Sequence, residues 1–296
     1  MVTVFTPLYN RADIVESLYN SLKRQTVKDF EWLVIDDGST DNPKEKFDVW
    51  IKENNGFEIR FYRVENGGKH RAINKGVKLA KGELFFISDS DDYLPDNAIE
   101  LVEKIDSGIE DKTGFAGFSG IIKSPSGELF GTTFDGDYID ATSLDREKYG
   151  VSGDKSEVMY TEVMKKYPFP EIENENFITE DIVWSRMAAD GYKIRWTNEF
   201  IYVAEYLEGG LTMQGREKFK KNPIGYTMYA KQITKLRNMS EKEKYNYYYY
   251  CYLDLKDTLG LVKTAKLLEA SVLKLWLKAA NMETRQLLHD LLKKNR

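Results

Sequence analysis

Asp89, Asp91 and Asp92 place three carboxylates within four residues, directly after the apolar run Leu84 to Ile87. Carboxylates this close repel one another unless a cation sits among them. Ligands that are all oxygen favour a hard ion such as Mg2+ or Mn2+. The plain alternative is an acidic surface turn. A second acidic pair, Glu180 and Asp181, opens the stretch TEDIVWSRMAADGYKI at 179–194. Its pattern predicts a helix capped by Thr179, buried along Ile182, Val183, Met187 and Ala188, and ended at Gly191. Acids in a first turn suit the helix dipole on structural grounds alone.

The elements that position these groups alternate along the first hundred residues. VTVFT (2–6), FEWLVI (30–35), IRFYRV (59–64) and ELFFIS (83–88) read as strands. Between them, ADIVESLYNSLKRQT carries helical spacing, Asp41 is placed to cap a helix through Phe47 and Trp50, and a third helix runs through Ala72, Ile73 and Val77. Strands separated by helices imply right-handed crossovers and a mostly parallel sheet. Ligands of such sheets bind beyond the carboxyl ends of the strands. Those ends read TPLYN, DDGST, ENGGK and DSDD, so Thr6, Tyr9, Asp36, Asp37, Asn66, Lys69, Asp89 and Asp91 should converge on one rim. Neither G-x-G-x-x-G nor a Walker A sequence is present. Without a glycine-rich cradle, a nucleotide diphosphate would need a metal, which the DSDD stretch offers.

Taken together and in this order, TPLYN, VIDDGSTDN, ENGGKHRAINKG, AKGELFFISDSDD and the later TED resemble glycosyltransferase family 2 over roughly residues 1–215. The resemblance implies a GT-A fold, Rossmann-like, with helices on both faces of the sheet, and a nucleotide-sugar donor. It implies that Asp37 accepts from the N3–H of a uracil-type base, with Tyr9 and the backbone near Thr6 and Pro7 lining the pocket. Asp89 would hold the ribose, and Asp91 would ligate the metal, Mn2+ or Mg2+, with Asp89 beside it. Asn66 and Lys69 fall among the nucleotide contacts. One of Glu180 and Asp181 would be the general base, and the second member is the family's usual choice. Many relatives carry Ala-Arg-Asn where this chain has Ala72, Ile73 and Asn74, with Lys69, His70 and Arg71 just upstream. His70 itself reads as a surface helix residue.

Beyond Asp96, which reads as a helix cap, the pattern changes to short strands at 115–122, 128–134 and 137–140, with a hairpin turn at SPSG. KYPFPEIENENF (166–177) reads as an irregular acidic loop, and Gly209 and Gly210 as hinges of a loop after the last strand. From Tyr226 the chain is helical, basic and aromatic. YNYYYYCYL (245–253) reads as aromatic packing against the catalytic domain. LLEASVLKLWLKAANMETRQLLHDLLKK (267–294) sets apolar faces at helical spacing with lysines between. It could lie on anionic lipid, self-associate or cap the domain. The expected division is a GT-A catalytic domain at 1–225 (a nucleotide-binding half at 1–96, an acceptor half at 97–225) and a helical extension at 226–296.

Totals exclude other classes. An apolar share of 42% in 296 residues builds a sizeable core. The single cysteine, Cys251, rules out an internal disulfide and fits a reducing compartment. The start of the chain lacks the pattern of a secretory leader, and no apolar run approaches bilayer length. The expected place is therefore the cytoplasm, or the inner face of the cell membrane. Residues 226–296 hold 14 basic and 7 acidic groups, so +7, and the first 225 residues hold 29 and 41, so −12. An acidic body argues against nucleic acid as partner. The expectation is an inverting, metal-dependent hexosyl- or N-acetylhexosaminyltransferase. It would move sugar from a UDP-sugar to a hydroxyl of a saccharide or lipid-linked saccharide in bacterial surface polysaccharide synthesis. The rival is a non-catalytic, nucleotide-binding partner subunit.

Overall fold

The computed structural model describes residues 1–205 and 215–294, with side chains at all of these except 283 and 285–294. In chain order the elements are β1 (Val2–Leu8), α1 (Glu16–Arg24), β2 (Phe30–Asp36), α2 (Lys44–Trp50), β3 (Glu58–Arg63), α3 (Lys69–Leu79), β4 (Leu84–Ile87) and α4 (Ala98–Ser107). There follow β5 (Phe115–Lys123), β6 (Leu129–Phe130), β7 (Tyr138–Ala141), a 3-10 turn at Arg146–Tyr149, β8 (Lys155–Tyr160), α5 (Thr161–Lys166), α6 (Asp181–Ala189) and β9 (Lys193–Val203). Helices then close the chain: α7 (Glu217–Lys221), α8 (Pro223–Leu236), α9 (Glu241–Leu255), α10 (Gly260–Leu267) and α11 (Val272–Lys294).

The strands form one mixed sheet in the order β3-β2-β1-β4-β8-β5-β9-β7, with β6 paired to β5. β1 to β4 are mutually parallel, β5 and β9 run the same way, and β6, β7 and β8 oppose them. Side chains alternate across the pleat, so each strand serves two layers. Val2, Val4, Trp32, Val34, Leu84 and Phe86 pack with Leu18, Leu22, Phe47, Trp50, Ile99 and Val102 of α1, α2 and α4. The opposite face carries Phe5 stacked on Phe85 at 4.9 Å, covered by α3. Gly76 permits that close approach, because a Cβ there would lie 2.2 Å from the Phe5 ring. Helices on both faces of an α/β sheet are thus present, as the alternating pattern implies.

The chain divides into two compact units. One is Met1–Glu171 with Val183–Met213, and the other is Ile172–Ile182 with Gln214–Arg296. The expected boundary at 225 falls inside α8, and the acidic loop segment from Ile172 belongs to the helical unit. The physical reason is a cap. Both carboxylate oxygens of buried Glu175 accept from the first turn of α8, from the N–H of Ile224 at 2.6 Å and Gly225 at 2.7 Å. Asn222 Oδ1 accepts from the N–H of Asn176 and Phe177. A carboxylate at a helix N-terminus satisfies orphan donors and complements the dipole.

Some local expectations need correction. Asp41 does not cap α2, which starts behind Pro43; its carboxylate accepts instead from the Ala12 N–H at 2.8 Å. Asp96 pairs with Arg24 at 2.9 Å, and Asn97 holds the cap position of α4. The tyrosine run lies in α9, whose Tyr248 and Cys251 pack with Ala230, Ala265, Leu268 and Leu275 inside the helical unit itself. The glycine pair at 209–210 lies outside the described residues. SPSG does turn the β5–β6 hairpin, with Gly127 N–H donating to Ser124 O.

Candidate functional site

The carboxyl ends of β1 to β4 share one edge because the four strands are parallel. The order β3-β2-β1-β4 reverses between β1 and β4, the topological switch point where open sheets bind ligands. The loops there are stitched together. Asn10, at φ 50°, donates its N–H to Ser39 Oγ at 2.9 Å, and its Oδ1 accepts from the Thr40 N–H at 2.8 Å. Asp36 Oδ1 accepts from the Ser39 N–H, which closes the turn after β2.

Asp37 is 4% exposed and clamps the next loop. Its carboxylate accepts from the N–H of Gly67 and Gly68, each at 2.8 Å, and from Asn66 Nδ2 at 3.2 Å. Burial pushes its pKa above the usual carboxylate value, and the two glycine N–H groups oppose that. Three accepted bonds leave about one of the roughly four acceptor positions of a carboxylate for a ligand. Gly38 makes the clamp sterically feasible: it sits at φ +77°, and a Cβ there would lie 2.8 Å from the Asn66 nitrogen.

The three aspartates after β4 part company. Asp89 pairs with Lys69 Nζ at 2.8 Å. Asp91 faces Arg11 Nε at 3.9 Å, and burial followed by the charge of Asp89 raises its pKa. Asp92 turns inward, 8% exposed, and burial with the Asp89 charge pushes it up to about 7. Its Oδ2 accepts from the Tyr202 hydroxyl at 2.8 Å, and its Oδ1 from the Glu205 N–H at 3.1 Å. The same Tyr202 oxygen accepts from the Asp89 N–H at 2.8 Å. A two-way bridge between the backbones of Tyr93 and Val203 completes the attachment of this turn to the end of β9.

Of the residues expected on this rim, Tyr9 is exposed, Pro7 is partly exposed, and Asn66, Lys69, Asp89 and Asp91 stand at the strand ends as expected. Thr6 does not reach it. β1 continues to Leu8, and Thr6 is fully buried with its hydroxyl accepting from the Trp32 indole at 2.9 Å. His70 is not a surface residue either: it is 2% exposed, neither ring nitrogen has a hydrogen-bond partner among the described residues, and burial lowers its pKa to about 4. Asn74 fastens α3 to the chain at 169–171, exchanging two bonds with the Phe169 backbone and donating to Glu171. Arg11, Asp92 and Tyr202 join the site without having been expected on the rim. Arg11 follows TPLYN directly and Asp92 sits inside DSDD, but nothing local marks Tyr202, which lies 110 residues from Asp92.

Among the described residues no three His, Cys, Asp or Glu side chains gather to hold a metal. Mg2+ is commonly held by one or two carboxylates plus substrate phosphates. Asp91 fits that role: it is an oxygen donor whose charged form suffers from burial and from Asp89, and a cation would relieve both. Glu180 and Asp181 fall in the helical unit. Asp181 opens α6, is exposed, and accepts from the Tyr229 hydroxyl at 3.3 Å, while Gln232 Nε2 donates to Ile182 O at 2.7 Å. Burial, then Asp181, raises the Tyr229 pKa well above its ordinary value, so that hydroxyl stays a donor.

Residues 3–112 match the model of the family described as glycosyl transferase family 2. Glycosyltransferase GlyG of Streptococcus pneumoniae serotype 4 is 37% identical over 103 residues, 34% of this chain and 34% of that protein. Chondroitin synthase of Pasteurella multocida is 37% identical over 113 residues, 38% of this chain and 11% of that protein. The chain thus spans about a third of GlyG and less of the synthase. Among solved structures, S. aureus TarS 1–349 in complex with UDP-GlcNAc superposes with a TM-score of 0.61 at 16% identity, covering 96% of this chain and 91% of that one. The mannosyltransferase PcManGT from Pyrobaculum calidifontis, in complex with GDP-Man and Mn2+, gives 0.54 at 17% identity, covering 97% and 79%. These likenesses establish the GT-A fold.

Proposed function

We propose that this chain, which matches glycosyl transferase family 2 over residues 3–112, transfers a sugar from a nucleotide-sugar to an acceptor hydroxyl. The observation that carries the reading is the meeting of Lys69 with Asp89 and of Arg11 with Asp91 at the switch point of the sheet. Acids and bases held side by side at a strand-end crevice suit a ligand that is itself a diphosphate with its counter-ion. UDP is the proposed nucleotide, with the last acceptor position of Asp37 available to the N3–H of uracil and Tyr9 beside it. The UDP-GlcNAc bound by TarS supports that choice, and the GDP-Man of PcManGT defines the alternative to test.

Asp91, with Asp89 beside it, would hold Mn2+ or Mg2+; when bound, such an ion offsets charge on the departing diphosphate as a Lewis acid. The remaining work falls to the chain. Lys69 and Arg11 supply fixed positive charge, and Asp37 holds the 66–68 loop in place. Asp181 is the proposed base, with Glu180 the other candidate. As the acceptor oxygen bonds to the anomeric carbon, the bond to the diphosphate oxygen breaks and the hydroxyl proton passes to the carboxylate. One displacement without a covalent intermediate inverts the anomeric centre, with oxocarbenium character on the way. A hexose or N-acetylhexosamine, and a saccharide acceptor of bacterial surface polysaccharide, are the proposed substrates. The similarity to chondroitin synthase supports a growing glycan as acceptor class.

The deciding experiment is calorimetry of UDP and GDP with Mn2+ and with a chelator, alongside hydrolysis of a panel of UDP- and GDP-sugars. UDP should bind more tightly with Mn2+, and Asp91→Ala should remove the difference. Equal affinity with and without chelator would exclude metal-assisted binding. Absence of both nucleotide binding and sugar release would exclude the reading.

A further inference from the structure

The first turns of α11 leave large apolar side chains uncovered. Leu273 is 64% exposed, Trp276 53%, Leu277 48% and Val272 40%, whereas Leu275 and Ala279 of the same helix are buried in the helical unit. Leu273, Trp276 and Leu277 stand at i, i+3 and i+4, so they share one face of the helix. Val262 of the preceding helix α10 is exposed as well, at 64%. Lys263 and Lys266 are exposed on α10, while Lys274 of α11 is paired with Glu241 at 2.7 Å. An uncovered tryptophan among leucines, with lysines alongside, is an arrangement that water alone does not favour.

We infer that this face of α11 rests on an anionic lipid bilayer surface. Charge decides the occupant: residues 226–296 carry 14 basic against 7 acidic groups, although the remainder of the chain is acidic. Juxtaposed lysines are drawn to anionic headgroups and extend their ammonium ends to the interface while their stems lie on lipid. Tryptophan is enriched at that depth. A second copy is a poorer occupant. A two-fold contact sets a patch against itself, so the excess positive charge of one copy would meet that of the other. A stable protein interface also recruits roughly 20–30 residues a side, far more than this stripe provides. Among the described residues no helix is long and apolar enough to cross a membrane, so α11 would lie along the surface. The inference stands on the exposed face alone and does not depend on the proposed donor chemistry.

The test is co-sedimentation of the full chain with vesicles of phosphatidylcholine alone and of phosphatidylcholine mixed with phosphatidylglycerol, at low and high salt. The chain should pellet with the anionic vesicles, not with the neutral ones, and less at high salt. Trp276→Glu and Leu273→Glu should each weaken the partition by about tenfold or more. Lys263→Gln and Lys266→Gln should each weaken it by about fivefold. All four side chains are exposed, so circular dichroism should be unchanged. Absence of pelleting at low salt, or equal pelleting by the glutamate variants, would overturn the inference. So would a dimer in analytical ultracentrifugation that the glutamate variants dissolve.

Discussion

His70 carries two ring nitrogens into a buried place where neither finds a hydrogen-bond partner among the described residues. Its imidazole is held neutral, with a pKa of about 4 against an ordinary 6.5, mainly by burial. The unfolded chain therefore takes up a proton below about pH 6.5 that the folded chain refuses until about 4. Stability should fall with pH across that window and gain no slope from this group above it. Asp92, raised to about 7, has the opposite sign: between its ordinary 3.8 and 7 the folded state holds a proton that the unfolded chain has released. Urea unfolding of wild type and His70→Leu at pH 7.5, 6, 5 and 4.5 separates the two contributions. The gap between the proteins should shift in favour of the variant as pH drops, and a constant gap would show that His70 titrates normally. A second residue-scale prediction concerns the proposed base. Asp181→Asn should lower turnover by about 100- to 10,000-fold while leaving UDP affinity nearly unchanged. Glu180→Gln is the discriminating partner: if it alone loses turnover, the roles are exchanged.

At the scale of elements, the site depends on how loops are fastened to strand ends. Gly38 takes a left-handed φ of +77°, and a Cβ there would lie 2.8 Å from the Asn66 nitrogen. Gly38→Ala adds both a clash and backbone strain, and should cost about 1–3 kcal/mol in urea unfolding. It should weaken UDP binding too, because the displaced segment is the one that Asp37 clamps. Within the turn after β4 a single hydroxyl, that of Tyr202, links two residues: it accepts from the Asp89 N–H and donates to Asp92. Tyr202→Phe keeps the ring and strands the buried Asp92 carboxylate and the part-buried Asp89 N–H, at a cost of about 1–3 kcal/mol. The expected outcome is a UDP affinity in Mn2+ lowered about tenfold, with an unchanged circular dichroism spectrum. Unaltered affinity would show that the acidic turn holds its shape without this link.

For the whole molecule, two compact units divide the labour of folding. The sheet unit owns the proposed donor residues, and the helical unit owns Glu180, Asp181 and the tyrosines of α9. Glu175 ties the 172–182 segment to α8 by accepting two of its first N–H groups. Glu175→Ala leaves the buried Gly225 N–H and the part-buried Ile224 N–H without that acceptor, and should destabilise the helical unit by about 1–3 kcal/mol. Scanning calorimetry should show its transition lowered, while hydrogen exchange in β1 to β4 stays slow. Uniform loss of protection across the sheet would mean that the two units unfold as one.

Much of this molecule was written locally. The alternation of apolar runs with helical periods marked out β1 to β4 and the helices between them, because strand and helix periods are properties of short windows. Parallel pairing then put TPLYN, DDGST, ENGGK and DSDD on one edge, since crossovers return each strand in the same direction. Local pattern could not say which side chains of those loops remain available. Thr6 was lost to the Trp32 indole, and Asp37 spends most of its lone pairs on Gly67, Gly68 and Asn66. The three aspartates of DSDD took three different partners, two of them, Arg11 and Tyr202, brought from the loop after β1 and from β9, whose positions only the sheet order fixes. His70 reads as a surface residue by type and lies buried by place. The capture of 172–182 by the helical unit has the same cause, a carboxylate meeting a helix start about fifty residues later. Periodicity is set by neighbours along the chain, whereas burial and hydrogen-bond partners are set by neighbours in space.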